Sequence, residues 1–223
     1  MSDERGTIEP GTILIIVCVI SVFAIALFYA ARSNTKRGSM IQDFARAHGW
    51  NYAKTDIQGL SAKIDPYFPD SVFHLDNIVT IGSNGSSIHF FDCGYHYRER
   101  RRGDMFGNGC VIESDRFRTV HTQLEIVARN WADAAMLSDQ VAWEDSEFFR
   151  NFIVISKDQA AAREVLSTAV QQVLLEHCRK PLFNPVRISI TKNGAVILTG
   201  LNAEPERWLD LIDLAQRVEA GLN

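Results

Sequence analysis

The nine residues His89-Phe90-Phe91-Asp92-Cys93-Gly94-Tyr95-His96-Tyr97 hold the chain's densest mixture of groups able to move a proton or hold a metal: two histidines, a carboxylate and a thiol. Such a set could serve acid–base chemistry, a nucleophilic thiol or ligation of a divalent ion. Strand parity divides it. In an extended chain His89, Phe91, Cys93, Tyr95 and Tyr97 share one face, and Phe90, Asp92 and His96 share the other. The first face is mostly aromatic, which makes Cys93 a small buried hydrophobe and His89 a satisfied or edge histidine. On the second face Asp92 and His96 could pair, and His121 on a neighbouring strand could join them. That trio is what a membrane-bound hydrolase or metal-binding enzyme built on this chain would use.

Two further stretches carry charge in a pattern. Arg98-Glu99-Arg100-Arg101-Arg102 follows the histidine-rich strand and leads into the glycine-rich GDMFGNG, which reads as a solvated loop. Beside a bilayer, Arg98, Arg100, Arg101 and Arg102 would instead meet anionic headgroups, at roughly 1 kcal/mol for each cation near the surface. Trp143-Glu144-Asp145-Ser146-Glu147-Phe148-Phe149 mixes acids with aromatics but has no histidine or nucleophile beside it. Its phenylalanines, with Phe152, are expected in the core or an interface and its acids in solvent. No glycine-rich phosphate loop, nucleophile elbow, HExxH or paired-cysteine metal pattern occurs, so no cofactor or metal is expected. The net charge of -4 gives no basic field for nucleic acid. Cys18 lies in an apolar segment, and Cys93, Cys110 and Cys178 leave an odd number outside it, which favours reduced thiols over a disulfide framework.

The elements that must position these groups begin with an anchor. From Gly11 to Ala31 no residue is charged, and as a helix this stretch spans about 31 Å, the thickness of the hydrocarbon core. The preceding MSDERGTIEP is net acidic, and Phe28 and Tyr29 stand where a signal-peptidase site needs small residues, so the segment reads as an uncleaved transmembrane helix. Arg32, Lys36 and Arg37 follow it. The positive-inside tendency then places residues 1–10 outside the cell and the rest of the chain in the cytoplasm.

After a polar linker over residues 32–38, Ser39 and Gln42 form a capping box, and Met40, Ile41, Phe44 and Ala45 an apolar stripe. Gly49 ends that helix, and Trp50 folds back onto it or enters the core. Phe73 to Ile81 and Ile88 to Tyr97, joined by Gly82-Ser83-Asn84-Gly85, predict a β-hairpin. Phe117 to Ala128 predicts another strand, Asn130 to Ser138 a helical turn, Phe152 to Ile155 a short buried strand, and Asp158 to His177 one long helix. Val186, Ile188 and Ile190 meet Val196 to Leu198 across Lys192-Asn193-Gly194, a hairpin turn. A final helix starts near Pro205, carries Trp208, Leu211, Ile212, Ala215 and Val218 on one side, and stops at Gly221. The fold class is therefore α+β. One N-terminal transmembrane helix precedes a soluble domain, residues 39–223, of antiparallel hairpins packed with helices. A core of this kind suits the 46% hydrophobic and 22% charged composition.

The stretch EDSEFFRNFIVISKDQAAAREVLSTAVQQVL (Glu144 to Leu174), with the earlier helix end FARAHGWNY (Phe44 to Tyr52), resembles an uncharacterised family of bacterial single-pass membrane-anchored proteins. The resemblance implies topology and a bacterial setting and assigns no residue a role. The expected function is a membrane-anchored cytoplasmic domain that binds a protein partner or the membrane surface without catalysis. The enzyme built on Asp92, His96 and His121 is the alternative.

Overall fold

The computed structural model describes residues 19–22, 35–68, 71–83, 86–97, 105–129, 140–141, 146–180, 185–200 and 205–222. They divide into two compact units, Met1–Ile41 and Gln42–Asn223. Of the first unit, residues 19–22 and 35–41 are helical, and Val19, Ile20 and Val22 are exposed. No helix among the described residues is long and apolar enough to cross a membrane. The expected span over residues 11–31 lies outside the described residues apart from those four. The helix expected from Ser39 starts earlier and covers residues 35–47 (α1). Ser39 lies within it, its Oγ donating to the Thr35 carbonyl at 3.0 Å, so the hydroxyl back-bonds the preceding turn instead of capping.

The C-terminal end of α1 follows the sequence. Gly49 takes φ 69°, its N–H reaches the Arg46 carbonyl at 3.1 Å, and Trp50 N–H reaches that of Ala45 at 2.9 Å. These are the two bonds of a Schellman motif, whose left-handed residue glycine adopts without a Cβ penalty. Trp50 then folds back edge-on to Phe44 and stacks on His48.

The second unit is built on one eight-stranded sheet with every neighbouring pair antiparallel. Its strands are β1 (Asn51–Thr55), β2 (Ser71–Ser83), β3 (Ser86–Tyr97), β4 (Met105–Ser114), β5 (Leu124–Ala128), β6 (Phe152–Ile155), β7 (Pro185–Thr191) and β8 (Gly194–Thr199). They lie in the order β1-β2-β3-β4-β8-β7-β5-β6. The helices are α2 (Leu60–Ile64), α3 (Glu147–Asn151), α4 (Gln159–Val165), α5 (Thr168–Cys178) and α6 (Trp208–Ala220). The α+β class with an antiparallel sheet is what the hairpin and helix patterns predict.

Register fixes what each face carries. On one face Phe73, Leu75, Ile78, Phe91, Cys93, Val111, Val196 and Leu198 pack with Leu60 and Ile64 of α2 and with Tyr67 and Phe68 of the 3-10 turn behind it. On the other, Phe90 lies against Trp208 of α6, ring centroids 6.3 Å apart. Sheet covered on both sides explains why the alternation in β3 is apolar on both of its faces.

Three expectations are revised. Phe117 is not in a strand: Asp115–Thr119 forms a 3-10 turn whose cap, Ser114, accepts the Arg116 N–H, and strand pairing begins only at Leu124. The helix expected over 158–177 is two, because Ser167 caps a new one at Val170 N–H and donates its own hydroxyl to the Gly221 carbonyl. The glycine-rich run after the arginines is strand from Met105 on: β4 contains Gly107 and Gly109. The helical turn expected over Asn130 to Ser138 lies outside the described residues.

Candidate functional site

Two polar assemblies lie on opposite faces of the sheet. The first begins at a β-bulge in β2 between Asp76 and Val79, where Asn77 takes φ 52°, a left-handed conformation that asparagine tolerates better than most residues. Its side chain joins three strands. Tyr52 Oη donates to Asn77 Oδ1 at 2.8 Å, and Asn77 Nδ2 donates to Asp92 Oδ2 at 2.9 Å. Asp92 Oδ1 accepts from Asn108 Nδ2 at 2.6 Å, and the Asn108 carbonyl accepts from Thr199 Oγ1. Burial, with Asp92 and Asp76 close by, pushes the Tyr52 phenol above its ordinary value. Each oxygen of Asp92 is thus bound by an amide donor, an arrangement that locks the carboxylate as an acceptor and ties β1 to β4.

The second assembly is centred on His89, buried on the α2 face. Its Nδ1 lies 3.0 Å from Thr80 Oγ1, and its Nε2 lies 3.2 Å from Ser87 Oγ and 3.3 Å from Glu113 Oε2. Lys63 Nζ bonds both oxygens of Glu113, at 2.7 and 3.0 Å. Burial pulls the His89 imidazole below its usual range and outweighs the Glu113 carboxylate, which acts the other way. Burial also acts to raise Glu113, but the Lys63, His89 and Ser87 hydrogen bonds overcome it and hold the carboxyl low. A neutral imidazole beside an ionised carboxylate carries its proton on Nε2 and accepts from Thr80 on Nδ1. Thr80, His89 and Glu113 thus stand in hydroxyl–imidazole–carboxylate order through a buried ring, with Ser87 sharing the Nε2 side.

Glu113 and Lys63 also border a cleft of about 570 Å³. It is lined also by Pro66 and Tyr67, by Val111 and Val120, by His121, Thr122 and Gln123, and by the β7–β8 turn at Thr191, Lys192 and Asn193. The turn is the one expected from Asn-Gly: Thr191 pairs with Gly194, and Gly194 alone takes the positive φ, 141°.

The three residues suggested for catalysis are distributed as follows. Asp92 sits in the cross-strand network, and His121 lines the cleft on the opposite face. His96 lies in β3 at the register position of Val72, with its side chain outside the description. Arg98, Arg100, Arg101 and Arg102 also lie outside the described residues. Cys93 and Cys110 are free, fully buried thiols with their ionisation pushed far up by burial, in keeping with Cys93 read as a small hydrophobe. Among the described residues no group of three histidine, cysteine or acidic side chains could hold a metal. Lys63, Glu113 and Lys192 escape a reading by local motif because they come from three separate stretches. The Asn-Gly turn beside Lys192 is the one signal that could have located that part of the lining.

A fold of eight antiparallel strands covered by helices on both faces defines a class shared with a solved protein. The chain matches the crystal structure of the mycobacterial trehalose monomycolate transport factor A, TtfA, with a TM-score of 0.58 and 12% identity, over 83% of this chain and 94% of that one. At that identity the likeness establishes a shared fold. No family model matches the chain, and neither does any curated protein.

Proposed function

We propose that the chain is a non-enzymatic accessory domain of a membrane transport process, tethered by one helix over residues 11–31. Residues 1–10 lie outside the cell, and the domain over residues 39–223 lies in the cytoplasm, where it binds a protein partner in the same membrane. The observation that carries this reading is the fold shared along 94% of a protein named as a transport factor. The uncharged run from Gly11 to Ala31 supports the tether, and the exposure of Val19, Ile20 and Val22 on described helix suits lipid contact. Asp92, bonded to Asn77 and Asn108 on one face of the sheet while His121 lines the cleft on the other, supports binding over a reaction that needs the two together.

Photo-cross-linking in intact membranes tests the partner. A benzophenone side chain replacing the exposed Ile57 or Leu209 should give a discrete adduct with an integral membrane transporter. Adducts confined to soluble proteins, or none from either site, contradict it. The arginine run adds a second contact: with Arg100, Arg101 and Arg102 replaced by Ser, the full chain should bind a non-bilayer-spanning anionic lipid probe, such as short-chain phosphatidylglycerol, several-fold more weakly. Unchanged binding would remove that contact from the account.

A further inference from the structure

The cleft beside Glu113 presents hydrogen-bond donors that neither the tether nor a protein partner uses. Its volume of about 570 Å³ lies within the roughly 300–1,000 Å³ typical of small-molecule sites. Among the described residues Glu113 is the one acidic side chain in its lining, and the fold already occupies both oxygens of that carboxylate. Oε1 accepts from Lys63 at 2.7 Å; Oε2 accepts from Lys63 at 3.0 Å and from Ser87 at 3.2 Å, and lies 3.3 Å from His89 Nε2. Lys63 keeps an N–H to spare after bonding them. Lys192 and His121 are exposed, and among the described residues their side chains have no hydrogen bond or ion pair. The side-chain amides of Gln123 and Asn193, also exposed, stand in the same lining.

Two lysines against one saturated carboxylate leave the cleft with surplus positive charge, on a chain whose net charge is -4. A cation finds no open carboxylate there. A neutral polyol must donate as well as accept, and no carboxylate is left to receive its hydroxyls. An anion accepts from every unmatched group, and each bond to an ammonium is charge-assisted. The donors come from three separate elements: Lys63 from α2, His121 and Gln123 from the segment entering β5, and Lys192 and Asn193 from the β7–β8 turn. A tetrahedral oxyanion offers oxygens in several directions at once, whereas a carboxylate confines its pair to one plane. We infer that this cleft binds a phosphate ester, with Lys63 and Lys192 as its ammonium contacts. The inference rests on the cleft alone and holds whether or not the transport reading does.

The test is a titration of the full chain, isotope-labelled and held in a maltoside detergent in phosphate-free buffer. Glycerol 3-phosphate and monomeric short-chain phosphatidylglycerol present the phosphate on a soluble and on a lipid carrier. At least one should shift the backbone amide resonances of Gln123, Lys192 and Asn193 saturably, while glycerol at the same concentration leaves them in place. A response to the lipid alone makes the ligand a headgroup, and a response to glycerol 3-phosphate alone makes it a soluble ester. Lys192→Ala alters an exposed side chain, so the fold is retained, and it should weaken binding about five-fold, the upper end for one exposed ion pair. Lys192→Arg keeps the charge and should keep most of the affinity. The inference is overturned if neither phosphate probe moves these resonances, if glycerol moves them equally, or if Lys192→Ala binds as tightly as the parent. Cross-linking to a transporter can fail while this titration succeeds, so the two readings are separable.

Discussion

Protonation of His89 costs this fold stability, because the ring is buried and its neutral form is the one that burial favours. A histidine whose folded-state pKa is depressed contributes stability above its unfolded value of about 6.5, and that contribution is lost as pH falls below it. The melting temperature should therefore drop between pH 7.5 and 5, and His89→Gln should flatten the drop. Equal slopes for the two proteins would show that His89 does not set it. Asp92 predicts a different effect. Asp92→Ala leaves the Asn77 and Asn108 side-chain amides without the acceptors they hold at 2.9 and 2.6 Å, and both residues are buried. Urea denaturation should show a loss of about 3–6 kcal/mol, the scale of two hydrogen bonds to a charged group. A loss under about 0.5 kcal/mol would mean that water replaces the carboxylate without penalty.

At the scale of elements, the β7–β8 turn offers the sharpest test. A Cβ on Gly194 would lie 2.1 Å from the Ile112 carbonyl oxygen of β4, at a φ of 141° that side chains rarely adopt. Gly194→Ala should cost about 2–4 kcal/mol in chemical denaturation through steric conflict and backbone strain, and a variant as stable as the parent would contradict the close approach of these strands. That turn was legible because Asn-Gly between apolar runs is a local signal, and the Gly49 helix end and the Trp208 face of α6 were legible for the same reason. β4 was not. Gly107 and Gly109 give Met105–Ser114 the composition of a loop, yet they are required inside the strand: a Cβ on Gly107 would meet the Thr199 carbonyl at 1.9 Å, and one on Gly109 the Phe91 ring at 2.4 Å. Those neighbours lie far away in sequence, so composition gives no warning of them. β1 and α2 were missed because neither is periodic over its five residues. Asp56 holds the start of α2 by accepting the Leu60 and Ser61 N–H groups, a cap set four residues back from the first helical position. The same locality governed the site. Parity correctly separated Asp92 from the His89 face, but it could not show that His89, Glu113 and Lys63 converge from β3, β4 and α2.

At the scale of the whole molecule, the proposed tether precedes the sheet domain in the sequence. The domain brings a cross-strand network that stiffens one face and a polar cleft on the other; the apolar run from Gly11 to Ala31 would keep both beside a membrane. A protein partner, headgroup contact through the arginines and a cytoplasmic position all depend on that attachment. Alkaline carbonate extraction of membranes from cells making the full chain tests it most directly, with a chain starting at Thr35 made in parallel. The account predicts that the full chain stays in the pellet and the shortened one passes to the supernatant. Release of the full chain by carbonate would contradict it.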